Sequence, residues 1–476
     1  MSRDELIYLF MLLLSISLGH VVKHTKGARN KQLLCTGVGL SFVLILCRWQ
    51  SFHSVFTTLV NAVIIKAVGP RKCHVWSFIF CFSYLAFFRA AGYFGFDPPT
   101  SFSNVVQLLL TLKIIGVSFE VHDSHKIKQA ASTNSPEGEE KDKKVQRYVP
   151  TIEDPSILEH FHYGFCFIGI LTGPYFKYKT YYDMLHHPHS ASLPSIEPLL
   201  NRIKVLIPVG GAFLLFSHYF TVDYMKTDEF YENSYWYRTF YMVPIFVVFR
   251  TRMYSAWLLS ECVCMSAALG AYPKALKPKC GQGPSIDPQE ISGKDIDPSD
   301  YDYEAVHNIS GYMCDMTTTF RDGMRWWNMS VQWWLKNFIY FRCPVRAWST
   351  SATMLVSAFW HGIHPGYYLS FMTVPMILYA EDLLIRAFRT EQNKTAFDWL
   401  NWFLRMRAFD YLACGFLLLS WEAVTRYWAS TFFIVHVVTF AFIGIGLAFQ
   451  PKKKRKTDAD SQPVVSSDRP TEDKNK

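Results

Sequence analysis

Long blocks of apolar residues run along the chain, separated by short polar connections. A helix needs roughly 20 mostly apolar residues to cross the hydrocarbon core of a bilayer, and many of these blocks approach that length. We therefore predict an all-α, polytopic integral membrane protein with about eleven transmembrane helices plus re-entrant or short helices. The apolar blocks are 6–22, 33–47, 52–68, 74–94, 102–119, 161–171, 203–222, 239–249, 253–271, 326–341, 348–360, 366–384, 409–420 and 428–449.

The polar stretches do not divide the chain, because none holds enough apolar residues to build a core of its own. We predict one membrane domain over residues 1–450, with polar loops at 120–155 and 273–308. The second loop is rich in Pro, Gly, Ser and Asp, and we expect it to be poorly ordered. The basic tail, 451–476, is expected to be disordered and cytosolic.

Composition and charge agree with a membrane protein. Only 18% of residues are charged and 50% are hydrophobic, whereas soluble domains are about a quarter charged. The net charge of +9 is carried by connections between apolar blocks, which is typical of loops facing anionic lipid and not of a nucleic-acid groove. Cations concentrate after the first and third blocks and not between them, which predicts a luminal N-terminus. These cations are Lys23, Lys26, Arg29, Lys31, Lys66, Arg71 and Lys72.

Cysteines and histidines give no sign of a metal or cofactor site. The 11 cysteines lie mostly in apolar blocks and form no C-x-x-C pair, which disfavours disulfides and structural zinc. Two histidine groups, 186–189 and the pair His361 and His364, are too few for a membrane di-iron enzyme. We therefore expect neither a metal nor a cofactor.

Candidate chemistry concentrates between residues 321 and 365, where a few polar side chains lie among many aromatic ones. Polar residues inside a membrane are costly, so each is a candidate for function. If the segment were helical, Asn328, Gln332 and Leu335 would share one face. His361 ends an apolar stretch just before a Gly and a Pro. A neutral imidazole there could accept a proton near neutral pH, since its unperturbed pKa is about 6.5.

Other interpretations of these residues stay open on sequence grounds. Asn328, Asn308 and Asn393 each begin an N-glycosylation sequon, although the tryptophans around Asn328 argue that it is buried. Asn328 could instead join two helices by a hydrogen bond, and His361 could be a packed interfacial residue. A transporter would show internal repeats. None is visible, and the polar candidates cluster in one C-terminal region, which favours an enzyme.

The segments RWWNMSVQWWL and SAFWHGIHPGYYLSF resemble the signature region of the membrane-bound O-acyltransferase (MBOAT) family. The resemblance implies the MBOAT fold around an internal tunnel, with His361 as the family's histidine and Asn328 as its partner. It also implies an acyl-CoA-dependent acyltransferase, with acyl-CoA entering from the cytosolic side as co-substrate and the acceptor entering from the bilayer. Oligomeric state is left open.

Further segments resemble family members that acylate lysophosphatidylinositol. These are FSYLAFFRA, NVVQLLLTLK, GILTGPYFKYKTYYD, SECVC and WFLRMRAFDY. The likeness implies lysophosphatidylinositol as acceptor and arachidonoyl-CoA as preferred donor. We expect the endoplasmic reticulum membrane as location, because it is the natural home of acyl-CoA lipid remodelling. Another lysophospholipid or a protein acceptor remains the alternative.

The expected reaction is direct acyl transfer, with His361 as general base and Asn328 as hydrogen-bond donor to the thioester carbonyl. Aromatic residues around Asn328 would suit an acyl chain, and nearby cations could meet phosphate, although such cations can also snorkel to the interface. The candidate substrate-binding residues are Trp327, Gln332, Trp333, Trp334, Arg321, Arg325, Lys336 and His364.

Overall fold

Helices make up 76% of the structure, a computed structural model that describes residues 3–133, 149–293 and 296–450. The predicted all-α class is confirmed. The helices are α1 (Arg3–His24), α2 (Ala28–Cys47), α3 (Ser51–Val68), α4 (Cys73–Arg89), α5 (Ser101–Thr133), α6 (Ile157–Gly164), α7 (Tyr178–His186), α8 (Ile196–Tyr219), α9 (Asp228–Glu232), α10 (Tyr235–Ser266), α11 (Gly311–Met316), α12 (Phe320–Arg325), α13 (Met329–Phe338), α14 (Ser349–His361), α15 (Pro365–Phe388), α16 (Lys394–Leu418), α17 (Trp421–Ser430) and α18 (Ile434–Ala448).

Within the described residues, six helical stretches are long and apolar enough to cross a membrane, with α2 and α3 counted together. A seventh is added if α17 and α18, bent by 67° at a short break, form one span. The predicted count of about eleven is not confirmed and stays a prediction. One reason for the lower number is α10, which runs unbroken through Pro244 and joins two blocks predicted as separate spans.

The helices include two groups whose members pack closely against one another. In the first, α3, α4 and α5 contact one another; in the second, α15 contacts α14, α16 and α18. The long helix α10 lies against α1, α8 and α16. The short helix α12 contacts α15, and α13 contacts both α5 of the first group and α14 of the second.

An irregular segment, residues 165–177, follows α6 through the interior. Phe165, Cys166 and Ile168 are fully buried there, and the Phe167 N–H donates to the Cys35 carbonyl at 3.1 Å. Non-helical backbone at membrane depth is tolerated where protein surrounds it. This agrees with the expectation of a short or re-entrant element near block 161–171.

The predicted polar loops are only partly loops. The boundary at residue 120 is wrong, because α5 continues to Thr133 with Val121 and Ser124 buried on its inner side. Residues 134–148 lie outside the described residues, as does the predicted disordered tail, and residues 149–155 form neither helix nor strand.

The loop 273–308 was expected to be poorly ordered, and this expectation is wrong for its described part. Strands β1 (Tyr272–Pro273) and β2 (Tyr301–Asp302) pair antiparallel, with Tyr272 opposite Asp302. The apolar side chains of Leu276 and Val306 are buried, so the segment has a small core despite its polar composition.

Candidate active site

The ring of His361 lies among aromatic side chains at the C-terminal end of α14. Its centroid is 5.2 Å from that of Phe371, which stacks on it, and 5.1 Å from that of Phe416, which meets it edge-on. Tyr367 lies 5.9 Å away. The imidazole is half-buried, and no described residue forms a hydrogen bond with it. Both ring nitrogens therefore remain available to a substrate, beside the aromatic rings of Phe371, Phe416 and Tyr367.

Asn328 lies in a break between two short helices, and the continuous helix predicted for 326–341 is wrong. The helix α12 ends at Arg325 and α13 begins at Met329. Between them Asn328 adopts left-handed backbone angles, φ 47° and ψ 55°, which asparagine tolerates better than most residues. The turn places the half-buried Asn328 side chain before the helix, so the face it was predicted to share with Gln332 does not exist.

One aromatic cluster extends from Trp327, the residue before Asn328, to the ring of His361. We define it as Phe249, Trp327, Tyr367, Phe371 and Phe416. Trp327, which precedes Asn328, lies 5.8 Å from Phe249. Phe249 lies 5.5 Å from Phe416, whose ring contacts His361. Helices α10, α15 and α16 thus supply an apolar wall that runs from the Asn328 turn to the imidazole.

Arg89 fixes the end of α14 from a distant part of the chain. Its two terminal nitrogens donate to the carbonyls of Phe359, at 2.7 Å, and Trp360, at 2.6 Å. Its Nε donates to Asn104 on α5 at 2.9 Å. The last carbonyls of a helix lack partners inside the helix, and a guanidinium both satisfies them and opposes the helix dipole. Arg89 therefore holds the backbone that carries His361.

We expect Arg89→Lys to lower kcat by about 10- to 100-fold, because a small displacement of a catalytic group costs that much. A lysine ammonium cannot reproduce the planar fork that spans three acceptors. The measurement is steady-state transfer by purified protein, and Arg386→Lys, on the exposed end of α15, is the matched control. Equal kcat for wild type and Arg89→Lys would show that this contact does not position His361.

The aromatic and polar substrate-binding candidates fall in different places. Trp327 belongs to the aromatic cluster, whereas Trp334 is fully buried and its indole N–H donates to Leu112 on α5 at 3.1 Å. Trp334 is therefore a packing residue. Trp333 lies on another side of α13, under the Lys177 ammonium at 4.9 Å. Gln332 is half-buried, and its backbone N–H donates to the Asn328 carbonyl at 3.0 Å.

The charged candidates and His364 are all exposed. Arg321 pairs with Asp382 at 2.8 Å, and Arg325 pairs with Asp322 at 3.2 Å. Lys336 lies over the Phe341 ring at 5.5 Å. His364 precedes α15 without capping it. A phosphate-binding role for these cations stays a prediction.

Sequence reasoning missed the residues that hold the site in place. Besides Arg89, these include Arg405, whose guanidinium donates to the carbonyls of Cys314 and Asp315 at 2.7 and 2.8 Å. Glu381 accepts hydrogen bonds from the Phe320 N–H and from Asn401. These buried polar groups on α15 and α16 fix the segment that leads to Asn328. Their presence in apolar helices was the signal that could have revealed them.

Comparison with known proteins identifies the class of enzyme. Residues 46–421 match the model of the membrane-bound O-acyltransferase family, MBOAT, so the chain belongs to that family. The resemblance seen in the signature segments is thereby confirmed. The chain is accordingly a multi-pass membrane protein and an O-acyltransferase.

Several curated relatives align with nearly the whole chain. Membrane-bound acylglycerophosphatidylinositol O-acyltransferase mboat7 of Xenopus laevis is 44% identical over 465 residues, which is 96% of each chain. The protein of the same name from Homo sapiens is 42% identical over 476 residues, 98% of each. The Drosophila melanogaster acyltransferase frj is 33% identical over 468 residues, covering 95% of this chain and 94% of its own length.

Proposed function

We propose that this enzyme transfers an acyl chain from acyl-CoA to the sn-2 hydroxyl of lysophosphatidylinositol, giving phosphatidylinositol. The main support for acyl transfer by His361 and Asn328 is the aromatic cluster that joins the Asn328 turn to the half-buried His361 ring. The headgroup is supported by relatives up to 44% identical over almost the whole chain, which are named for acylglycerophosphatidylinositol.

In the proposed mechanism, a nitrogen of His361 accepts the proton of the acceptor hydroxyl as its oxygen attacks the thioester carbon. A carbon–oxygen bond forms and the carbon–sulfur bond breaks. The CoA thiolate leaves and takes up the proton from the imidazolium, which restores His361. No covalent enzyme intermediate, metal or cofactor is needed, because a thiolate is already a good leaving group.

Asn328 stabilises the transition state in the proposed mechanism. Its carboxamide donates a hydrogen bond to the thioester oxygen as negative charge develops there. The surrounding aromatic rings keep water away, which strengthens that hydrogen bond and protects the thioester from hydrolysis. The same apolar wall suits the first carbons of an acyl chain.

We further propose a polyunsaturated donor, arachidonoyl-CoA in particular, and residence in the endoplasmic reticulum membrane. The donor preference rests on sequence likeness, and the location rests on where acyl-CoA lipid remodelling takes place. The cations after the first and third apolar blocks support a luminal N-terminus, and the basic tail supports a cytosolic C-terminus. Entry of acyl-CoA from the cytosolic side is proposed from the family resemblance.

Product analysis with a panel of lysolipids tests the headgroup. Purified protein is given labelled arachidonoyl-CoA with lysophosphatidylinositol, lysophosphatidylcholine, lysophosphatidylethanolamine or lysophosphatidylserine. We expect kcat/KM for lysophosphatidylinositol to exceed that of each other acceptor by at least about tenfold, equivalent to roughly 1.4 kcal/mol of discrimination. Equal or faster transfer to another headgroup would contradict the proposal while leaving the acyltransferase class intact.

A further inference from the structure

Asn308 is buried beside the start of α13 and binds that helix through both of its oxygen atoms. Only 1% of the residue is exposed. Its backbone carbonyl accepts the Met329 N–H at 2.8 Å. Its side-chain Oδ1 accepts the Ser330 N–H at 3.0 Å and the Ser330 hydroxyl at 2.6 Å. Asn308 therefore satisfies the first two N–H groups of α13.

This arrangement is unusual because a helix is normally capped by the residue that precedes it. The first N–H groups of a helix lack partners, and an Asn at the N-cap usually accepts one of them with its own side chain. Asn328 occupies the N-cap of α13, yet its side chain makes no capping hydrogen bond. Asn308, which lies 20 residues before Asn328 in the chain, caps α13 instead.

We propose that Asn308 is a positioning residue for the acyl-transfer reaction. By capping α13 in place of Asn328, it releases the Asn328 carboxamide for the thioester carbonyl and holds the left-handed turn. This inference rests on the proposed role of Asn328 and does not depend on the headgroup.

The position of Asn308 is itself fixed by a buried carboxylate. Glu261, on α10, is fully buried, and its Oε1 accepts the N–H groups of Asn308 at 2.7 Å and Ile309 at 3.1 Å. Arg202 forms an ion pair with the other carboxylate oxygen at 2.7 Å. A buried charge that is both paired and hydrogen-bonded is held firmly, because leaving any of its contacts unmade is costly. The turn is thus anchored to α10, a helix of 32 residues.

His307 and Ser330 also help to hold Asn308 and the Asn328 turn in place. Burial of the His307 ring disfavours its charged form, but its contact with Glu304 and the nearby Glu261 carboxylate raise the pKa of His307 above the usual value. Its Nε2 lies 3.0 Å from the Ile309 carbonyl. The Ser330 hydroxyl accepts the Tyr175 N–H at 3.0 Å, which ties the buried irregular segment to α13. Burial of Asn308 also excludes a glycan on its sequon in the folded chain.

A double-mutant cycle tests the proposal. The variants are Asn308→Ala, Asn328→Gly and the pair together, assayed with whichever lysolipid is the best acceptor. We expect Asn308→Ala to lower kcat by about 10- to 100-fold, with KM for both substrates changed less than about threefold. In the Asn328→Gly background, Asn308→Ala should cost less than about threefold more, because a residue that acts through Asn328 has nothing left to position.

Asn61 provides the matched control. It is fully buried on α3 and donates to the Ile114 carbonyl at 3.0 Å, within a different helix group. Any loss caused by Asn61→Ala should be the same factor in both backgrounds. If the losses from Asn308→Ala and Asn328→Gly multiply in full, or if the loss from Asn308→Ala appears in KM, Asn308 is not a positioning residue for Asn328.

Two milder variants keep the test decisive if Asn308→Ala does not fold. Asn308→Asp retains the accepting oxygens and replaces Nδ2, which has no hydrogen-bond partner among the described residues. Burial and the neighbouring Glu261 carboxylate favour the neutral carboxylic acid at this position, which keeps the accepting oxygen without adding a charge. We therefore expect kcat within about tenfold of wild type, the factor that 1.4 kcal/mol represents. Ser330→Ala removes one of the three contacts and should show the same non-additivity with Asn328→Gly. An unimpaired Asn328→Gly enzyme would overturn this inference and the role of Asn328, whereas failure of the headgroup proposal appears only in the lysolipid panel.

Discussion

Replacement of His361 by alanine should remove acyl transfer while leaving the protein folded. A positioned general base contributes about 10²–10⁴-fold, and kcat should fall by that factor. The described surroundings of His361 offer no second base, because its ring contacts are aromatic. The loss should therefore appear in kcat more than in KM for either substrate. The measurement is turnover by purified protein. A monodisperse size-exclusion profile in detergent, like that of wild type, is the check on folding.

His436 is the matched control for this substitution. It is also half-buried in an aromatic setting, but its ring hydrogen-bonds to Tyr411 at 3.0 Å and Thr373 at 3.2 Å, as a packed histidine does. We expect His436→Ala to lower stability by about 1–3 kcal/mol and to keep the turnover of folded enzyme. Transfer by His361→Ala within tenfold of wild type would show that His361 is not the base.

Replacement of Asn328 by glycine should lower kcat by about 10²–10³-fold, the usual cost of losing one donor to a developing oxyanion. Glycine is the informative substitution because it adopts the left-handed backbone of Asn328 without strain. Alanine at this position would add a conformational cost of about 1–2 kcal/mol, so its effect would mix folding with chemistry. Single-turnover rates with saturating acyl-CoA separate the chemical step from binding.

Asn337 serves as the control for Asn328. It lies on α13 and donates to the Trp333 carbonyl one turn earlier at 2.7 Å, so its loss should affect only the surface of that helix. If Asn328→Gly reacts as fast as Asn337→Ala, the carboxamide does not stabilise the transition state. If Asn328→Gly raises only the KM of one substrate, the residue binds that substrate without assisting the reaction.

Much of the fold follows from the sequence because apolar length and periodicity determine where helices form. Block 348–360 and helix α14 agree within a residue at each end. The pattern fails where local and long-range effects compete. The charges at Arg250 and Arg252 separated the predicted blocks 239–249 and 253–271, yet α10 continues through them, with Asp315 and Glu5 paired to these arginines.

The break at Asn328 shows a different limit. The residues from Trp326 onward suit a continuous amphipathic helix. The positive φ of Asn328 cannot be predicted from the hydrophobic periodicity, because periodicity does not depend on the sign of φ. Only the identity of the residue, an asparagine that accepts left-handed angles, was compatible with the turn. The two candidate catalytic residues could be chosen as polar groups in apolar surroundings. The residues that hold them in place could not be found in this way. The contacts of Arg89 with the end of α14, for example, join positions about 270 residues apart in the sequence.

The most direct measurement is an experimental structure of the enzyme with a non-transferable acyl-CoA analogue and a lysolipid. We expect the carbonyl oxygen of the analogue to lie within about 2.7–3.1 Å of the Asn328 Nδ2. The acceptor hydroxyl should lie within about 2.6–3.2 Å of a nitrogen of His361. An acyl carbonyl lodged elsewhere, for example in the apolar cavity of about 260 Å³ between α15, α16 and α18, with His361 and Asn328 touching neither substrate, would contradict the proposed mechanism.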